Sequence, residues 1–147
     1  MKENNINTPA DLQINFTNNV SKYMEENNRR MMGWNEILGK NIHADFGEKK
    51  DDKEAETKLA KNTIVQFWKG DLQLLSDAAK EGYSIVNSYA QFTYLDFKHE
   101  KTSLEKAYSF NPIPDGLDEK YHDNIYGLGC QMWSEWTPTT PDVERQV

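Results

Sequence analysis

Trp34, Trp68 and Trp133 each follow directly on a short apolar run, and an acid stands two residues after two of them. Those acids are Glu36 and Glu135, and Tyr94 with Asp96 repeats the same spacing. Positions two apart in extended backbone project to one side, so each pair is expected to share a face. Flat apolar rings stack on the C–H face of a pyranose, and carboxylates accept its hydroxyl hydrogens. Such a set is suited to a sugar pocket. A glycosidase of the usual type needs two carboxylates flanking the scissile bond, and Asp96 and Glu135 are the candidates in this chain. Glu36 alone fits a rim ion pair equally well, and packing is the default for Tyr89 and Trp136.

The composition narrows the partners. Aromatic residues make up 12% of a chain that is 28% charged, an excess that points to a ligand surface as readily as to an aromatic core. A net charge of −7 without a basic patch argues against nucleic acid. Cys130 is the only cysteine, which excludes an internal disulfide and a paired-cysteine metal site. It lies in an apolar run, and His43, His99 and His122 lie in polar stretches, so a buried structural thiol is expected. No run is long or apolar enough to cross a membrane, and residues 1–7 lack the apolar stretch of a signal peptide.

The elements that must position these residues alternate. Thr8-Pro9-Ala10-Asp11 reads as a helix start, and Leu12, Phe16, Val20, Tyr23 and Met24 then form one apolar stripe to about residue 26. Strands are expected over 30–34, 63–68, 84–89 and 125–132, with helices over 71–81 and 103–108. Residues 39–61 are mostly charged and are expected to form a solvated loop or a short helix, and a long connection over 90–124 carries the turn Asn111-Pro112-Ile113-Pro114-Asp115-Gly116.

This order is that of an α/β fold with a parallel sheet. Side parity favours a barrel. Gly127, Gly129 and Gln131 share a side with Trp133, and Gln66 shares one with Trp68, while Val65, Phe67, Leu128, Cys130 and Met132 take the other. Small or polar residues inside and apolar residues outside suit a barrel wrapped in helices. A doubly wound sheet is the alternative, but Gly127-Leu128-Gly129 lies within a strand and lacks the third glycine of a nucleotide-binding turn. In a TIM barrel the chemistry sits at the C-terminal ends of the strands, where Trp34, Trp68, Tyr94 with Asp96, and Trp133 with Glu135 all fall.

With these residues assembled, the chain resembles the family 20 glycoside hydrolases, the β-N-acetylhexosaminidases. The resemblance rests on Met32-Gly33-Trp34-Asn35-Glu36-Ile37-Leu38, Val65-Gln66-Phe67-Trp68-Lys69-Gly70, Tyr94-Leu95-Asp96 and Gln131-Met132-Trp133-Ser134-Glu135. Leu12-Gln13 with Phe16 also looks like the family. The strings keep the family's order over nearly the whole of residues 1–147. The resemblance implies the C-terminal part, about strands 5–8, of a TIM (β/α)8 barrel. It also implies removal of terminal N-acetylglucosamine or N-acetylgalactosamine from glycans. Trp34, Trp68 and Trp133 would wall the acetamido pocket, Tyr94 would orient that group, and Asp96 and Glu135 would bind sugar hydroxyls toward O4 and O6. The family uses the substrate's own acetamido oxygen as nucleophile, and no metal or cofactor is implied. Secreted or periplasmic location is suggested by the resemblance alone.

The departure is in the acids. The family's catalytic pair is an adjacent Asp-Glu at the end of an earlier strand, expected upstream of this chain with the N-terminal half of the barrel. Asp118-Glu119 lies in a polar segment after three of the motifs, the wrong place for it. The piece would then supply the pocket and be inactive alone. The competing readings are a non-catalytic sugar-binding module and an acidic interaction domain whose tryptophans are core.

Overall fold

The computed structural model describes residues 6–40 and 55–146, so most of the charged loop over 39–61 lies outside the described residues. Helix α1 (Pro9–Glu26) starts as its sequence dictates. The Thr8 hydroxyl oxygen accepts from the Asp11 N–H at 3.0 Å, and the Thr8 N–H donates back to Asp11 Oδ2 at 3.0 Å. Asn28, in the left-handed region at φ 56°, turns the chain away after the helix.

The face that α1 buries differs from the expected stripe. Leu12, Phe16 and Tyr23 are exposed, whereas Ala10, Asp11, Ile14, Thr17 and Ser21 are buried. The cause is the irregular segment 55–63 beneath it, whose backbone groups need partners that no ladder supplies. Asp11 Oδ1 accepts from the Thr57 N–H at 2.9 Å, and Asn18 Oδ1 accepts from the Ala60 N–H at 2.7 Å. Asn18 Nδ2 donates to the Lys58 carbonyl at 3.0 Å, and the Ser21 hydroxyl meets Thr63 Oγ1 at 3.0 Å. Polar residues at helical spacing thus take the inner face.

Strands β1 (Met32–Trp34), β2 (Ile64–Phe67), β3 (Ser84–Asn87) and β4 (Ile125–Leu128) form an all-parallel sheet in chain order. Helix α2 (Leu72–Lys80) makes the crossover from β2 to β3, with Asp71 as its N-cap. Its Leu75 and Ala79 are fully buried with Val65, Phe67 and Ile85, and Tyr83, Leu59 and Leu117 close the same core. Among the described residues the remaining α-helices are α3 (Ala90–Thr93), α4 (Leu104–Tyr108) and α5 (Thr140–Gln146). Ser103 caps α4 by accepting from the Lys106 N–H, and a 3₁₀ helix over Glu119–Asn124 leads into β4.

The inner face of the sheet is small and polar, as side parity requires. Gln66 Nε2 donates to Ser88 Oγ at 3.0 Å, and a Cβ on Gly129 would stand 2.5 Å from that same oxygen. Only glycine lets the chain after β4 approach β3 there. Gly127, at φ 133°, accompanies a register shift opposite Ile85 and Val86, and β4 ends at Leu128, earlier than its sequence suggests. One further bridge joins Tyr94 to Gln131.

The expectation of a buried Cys130 fails. The thiol is exposed, and Leu128 on the same side is half exposed. Ile125 at the start of β4 packs on the core. Among the described residues, however, α5 is the only helix after β4 and buries none of its residues, so the end over 128–130 stays uncovered.

Candidate functional site

Each of the four aromatic walls stands where a β-segment gives out. Trp34 is the last residue of β1, Trp68 follows β2, Tyr94 forms the bridge to Gln131 that extends the sheet past β4, and Trp133 follows that bridge by two residues. The acids do not share strand faces with their aromatics as two-residue spacing suggested. Glu36 sits in a 3₁₀ turn, Asn35–Leu38, and Asp96 and Glu135 sit in turns. A turn swings the acid round the aromatic, and all three pairs still reach one cavity.

That cavity has a volume of about 730 Å³ and is lined by all six expected residues: Trp34, Trp68, Tyr94, Asp96, Trp133 and Glu135. Trp34 meets Trp68 edge-on at 5.9 Å between ring centroids, and Trp68 stacks on Tyr94 at 6.1 Å and 22°. Trp133 lies 6.2 Å from Trp34 and 6.5 Å from Tyr94. These contacts close a ring of four aromatic walls. Gln13, Gly33, Glu36, Ile37, Phe97 and Trp136 complete the lining. Trp136 carried no signal beyond its residue type, and Glu36 was ambiguous until its partner was visible.

The electrostatics separate the two rim acids. Asp96 is 2% exposed and its Oδ1 is buried without a hydrogen-bond partner, whereas Glu135 is exposed. Burial pushes the Asp96 carboxyl above the usual carboxylate range, and the Glu135 charge adds to this. The N–H groups of Asp96 and Trp133 and the Lys101 charge oppose it. Burial also pushes the Tyr94 hydroxyl up, with the Asp96 and Glu36 charges in the same direction and a hydrogen bond with Trp133 opposing. Tyr94 is therefore a neutral O–H donor throughout the neutral range. Chemically, the cavity offers apolar faces, the Tyr94 O–H as a donor and acceptors on its border. Among the described residues no group of three or more His, Cys, Asp or Glu side chains could hold a metal ion.

Asp118-Glu119 is remote from this cavity. Asp118 caps the 3₁₀ helix that enters the N-terminal end of β4, accepts from the Lys120 N–H and ion-pairs with Lys120 at 3.2 Å. The cavity lies beyond the opposite, C-terminal ends of the strands.

The profile of "Glycosyl hydrolase family 20, catalytic domain" matches residues 1–147. The chain belongs to this family. A beta-hexosaminidase of Porphyromonas gingivalis is 24% identical over 158 residues, covering 100% of this chain and 18% of that protein. A beta-hexosaminidase of Vibrio furnissii is 25% identical over 151 residues, covering 92% of this chain and 21% of its own. The chain thus spans about a fifth of the length of these curated relatives. Among solved structures, the family 20 exo-β-N-acetylglucosaminidase of Vibrio harveyi, in complex with N-acetylglucosamine, superposes with a TM-score of 0.68 at 23% identity. It covers 92% of this chain and 20% of the enzyme. The β-N-acetylhexosaminidase of Bacteroides fragilis gives a TM-score of 0.65 at 21% identity, over 91% of this chain and 26% of its own. The parallel α/β unit is part of a TIM barrel.

Proposed function

We propose that this chain supplies the substrate pocket of a β-N-acetylhexosaminidase that releases terminal N-acetylglucosamine or N-acetylgalactosamine from glycans. The observation that carries the reading is the closed ring of Trp34, Trp68, Tyr94 and Trp133 around one cavity, with Asp96 and Glu135 on its border. An N-acetylhexosamine has the complementary surface: an acetamido methyl and C–H face for the rings, and hydroxyls for the carboxylates. In this reading the three tryptophans wall the acetamido group, and the Tyr94 O–H donates to it. Asp96 and Glu135 accept from the sugar hydroxyls toward O4 and O6.

The reaction is substrate-assisted and retaining. The acetamido oxygen bonds to the anomeric carbon as the glycosidic bond breaks, and the leaving oxygen takes a proton from a general acid. Water then attacks the anomeric carbon from the vacated side as the bond to the acetamido oxygen breaks, which restores the acetamido group, and the water's proton passes back to that acid. An aromatic box contributes by holding the amide in attack geometry and excluding competing water. We place the general acid, in an Asp-Glu pair, outside these residues, and read this chain as strands five to eight. The exposed Leu12, Phe16 and Tyr23 of α1 and the free edges of β1 and β4 in the described sheet are surfaces that a closed barrel would cover. Membership in a catalytic-domain family favours this reading over a sugar-binding module or an interaction domain.

The test is hydrolysis of a chromogenic N-acetylglucosaminide. The 147-residue chain alone should give no turnover, and a protein extended upstream through a strand ending in Asp-Glu should give it. Turnover by the chain alone would refute the division of labour.

A further inference from the structure

Trp68 is held at three points, two of them by consecutive residues of the turn after β1. The Trp68 backbone N–H donates to Asn35 Oδ1 at 3.0 Å, and Asn35 Nδ2 donates to the Lys69 carbonyl at 3.1 Å. The β1–β2 ladder stops at Trp34 opposite Gln66. The buried Asn35 carboxamide therefore continues it, standing in for a peptide unit with one acceptor and one donor. On the other side the Trp68 carbonyl accepts from the Ala90 N–H at 2.9 Å. This fixes the backbone and leaves the ring free to turn about its two side-chain torsions. Glu36 removes that freedom: its Oε1 accepts from the indole Nε1–H at 2.9 Å.

We propose that Asn35 and Glu36 act as a clamp on Trp68, with Glu36 a positioning residue that fixes the indole as a pocket wall. The chemistry explains why an acid suits an apolar box. An indole N–H left without an acceptor beside a bound apolar group would cost its desolvation, and a carboxylate is the stronger type of acceptor. Tying the polar edge of Trp68 to Glu36 leaves the ring face apolar for a ligand. Tyr94 at 6.1 Å and Trp34 at 5.9 Å then meet a ring of defined orientation. Glu36 acts through Trp68, a role distinct from the hydroxyl contacts assigned to Asp96 and Glu135. The inference rests on the reading of Trp68 as a wall of an acetamido-sugar pocket.

The experiment follows the indole N–H signals of ¹⁵N-tryptophan-labelled protein by NMR, with Trp68→Phe identifying the Trp68 peak, and then titrates N-acetylglucosamine. In the unmodified protein the Trp68 indole N–H should exchange with solvent at least about tenfold more slowly than that of the exposed Trp136. Glu36→Gln keeps an acceptor oxygen and should retain this protection and sugar affinity within about threefold. Glu36→Leu should lose the protection and weaken the sugar by about tenfold. Unprotected Trp68 in the unmodified protein overturns the clamp without recourse to any variant that misfolds. Unchanged protection and affinity in Glu36→Leu also overturn it. If the exchange pattern holds and the unmodified protein ignores N-acetylglucosamine, the clamp stands and the sugar reading fails.

Discussion

Trp34 ends the first strand of the sheet and Trp133 lies beyond the last, yet their ring centroids are 6.2 Å apart at 37°. Strands spaced about 4.8 Å apart would put the edges of a flat four-stranded sheet roughly 14 Å from each other. The two rings meet because the sheet curls toward the cavity, as an arc of a barrel does. The small residues on the concave side, Ser88 and Gly129, permit that curl.

Adding a methyl group at Gly129 should therefore strain the arc. Gly129→Ala would place a Cβ 2.5 Å from Ser88 Oγ and 3.2 Å from Val86 Cγ1. Overpacking of this kind costs about 1–3 kcal/mol. Thermal melts should show a lowered midpoint, with partial recovery in Gly129→Ala/Ser88→Ala, where the nearest clashing atom is gone. An unchanged midpoint in the single variant would show that the strands do not approach as described.

Asp96 should trade stability for binding. Its folded pKa lies above 3.8, so its charge is disfavoured in the folded state. The stabilising contribution of the neutral acid is present below the unfolded pKa and is lost as pH rises through the folded one. Asp96→Asn should then be at least as stable as the parent near pH 7 and lose that advantage below about pH 4. The same variant should bind N-acetylglucosamine about 10- to 100-fold more weakly, the worth of one hydrogen bond to a charged acceptor. A variant that is less stable near pH 7 and binds unchanged would contradict both halves.

Asp11 has the opposite sign. The Thr57 N–H, above all, holds its carboxyl down to about 2, with Thr8 helping and burial opposing. Its contribution is full above the unfolded value of 3.8 and disappears as pH falls toward 2. Asp11→Asn should melt lower at neutral pH and show a flatter loss of stability between about pH 4 and pH 2. Parallel acid profiles for the two proteins would exclude this role.

The sequence was most legible where one residue decides the local outcome. Thr8 and Asp11 mark the start of α1, Asp71 marks that of α2, and the alternation of Val65 and Phe67 against Gln66 sets the faces of β2. It misled where the deciding partner lies far along the chain. The apolar stripe of α1 is real, but the polar demands of residues 55–63 determine which face turns inward. Cys130 sits in an apolar run that no described helix covers. The six candidate residues that line the cavity could be singled out because their types and order are local. The bond from Trp68 to Glu36 could not, since the Asn35–Leu38 turn breaks the strand spacing that linked Trp34 to its acid.

The most direct test of the acetamido-sugar pocket is a titration followed by intrinsic tryptophan fluorescence, with N-acetylglucosamine against glucose as the ligand lacking the amide. The expected result is saturable binding of N-acetylglucosamine, at least about tenfold weaker binding of glucose, and loss of most of that preference in Trp133→Ala with the fold intact. Equal responses to the two sugars, or a preference that survives Trp133→Ala, would contradict it.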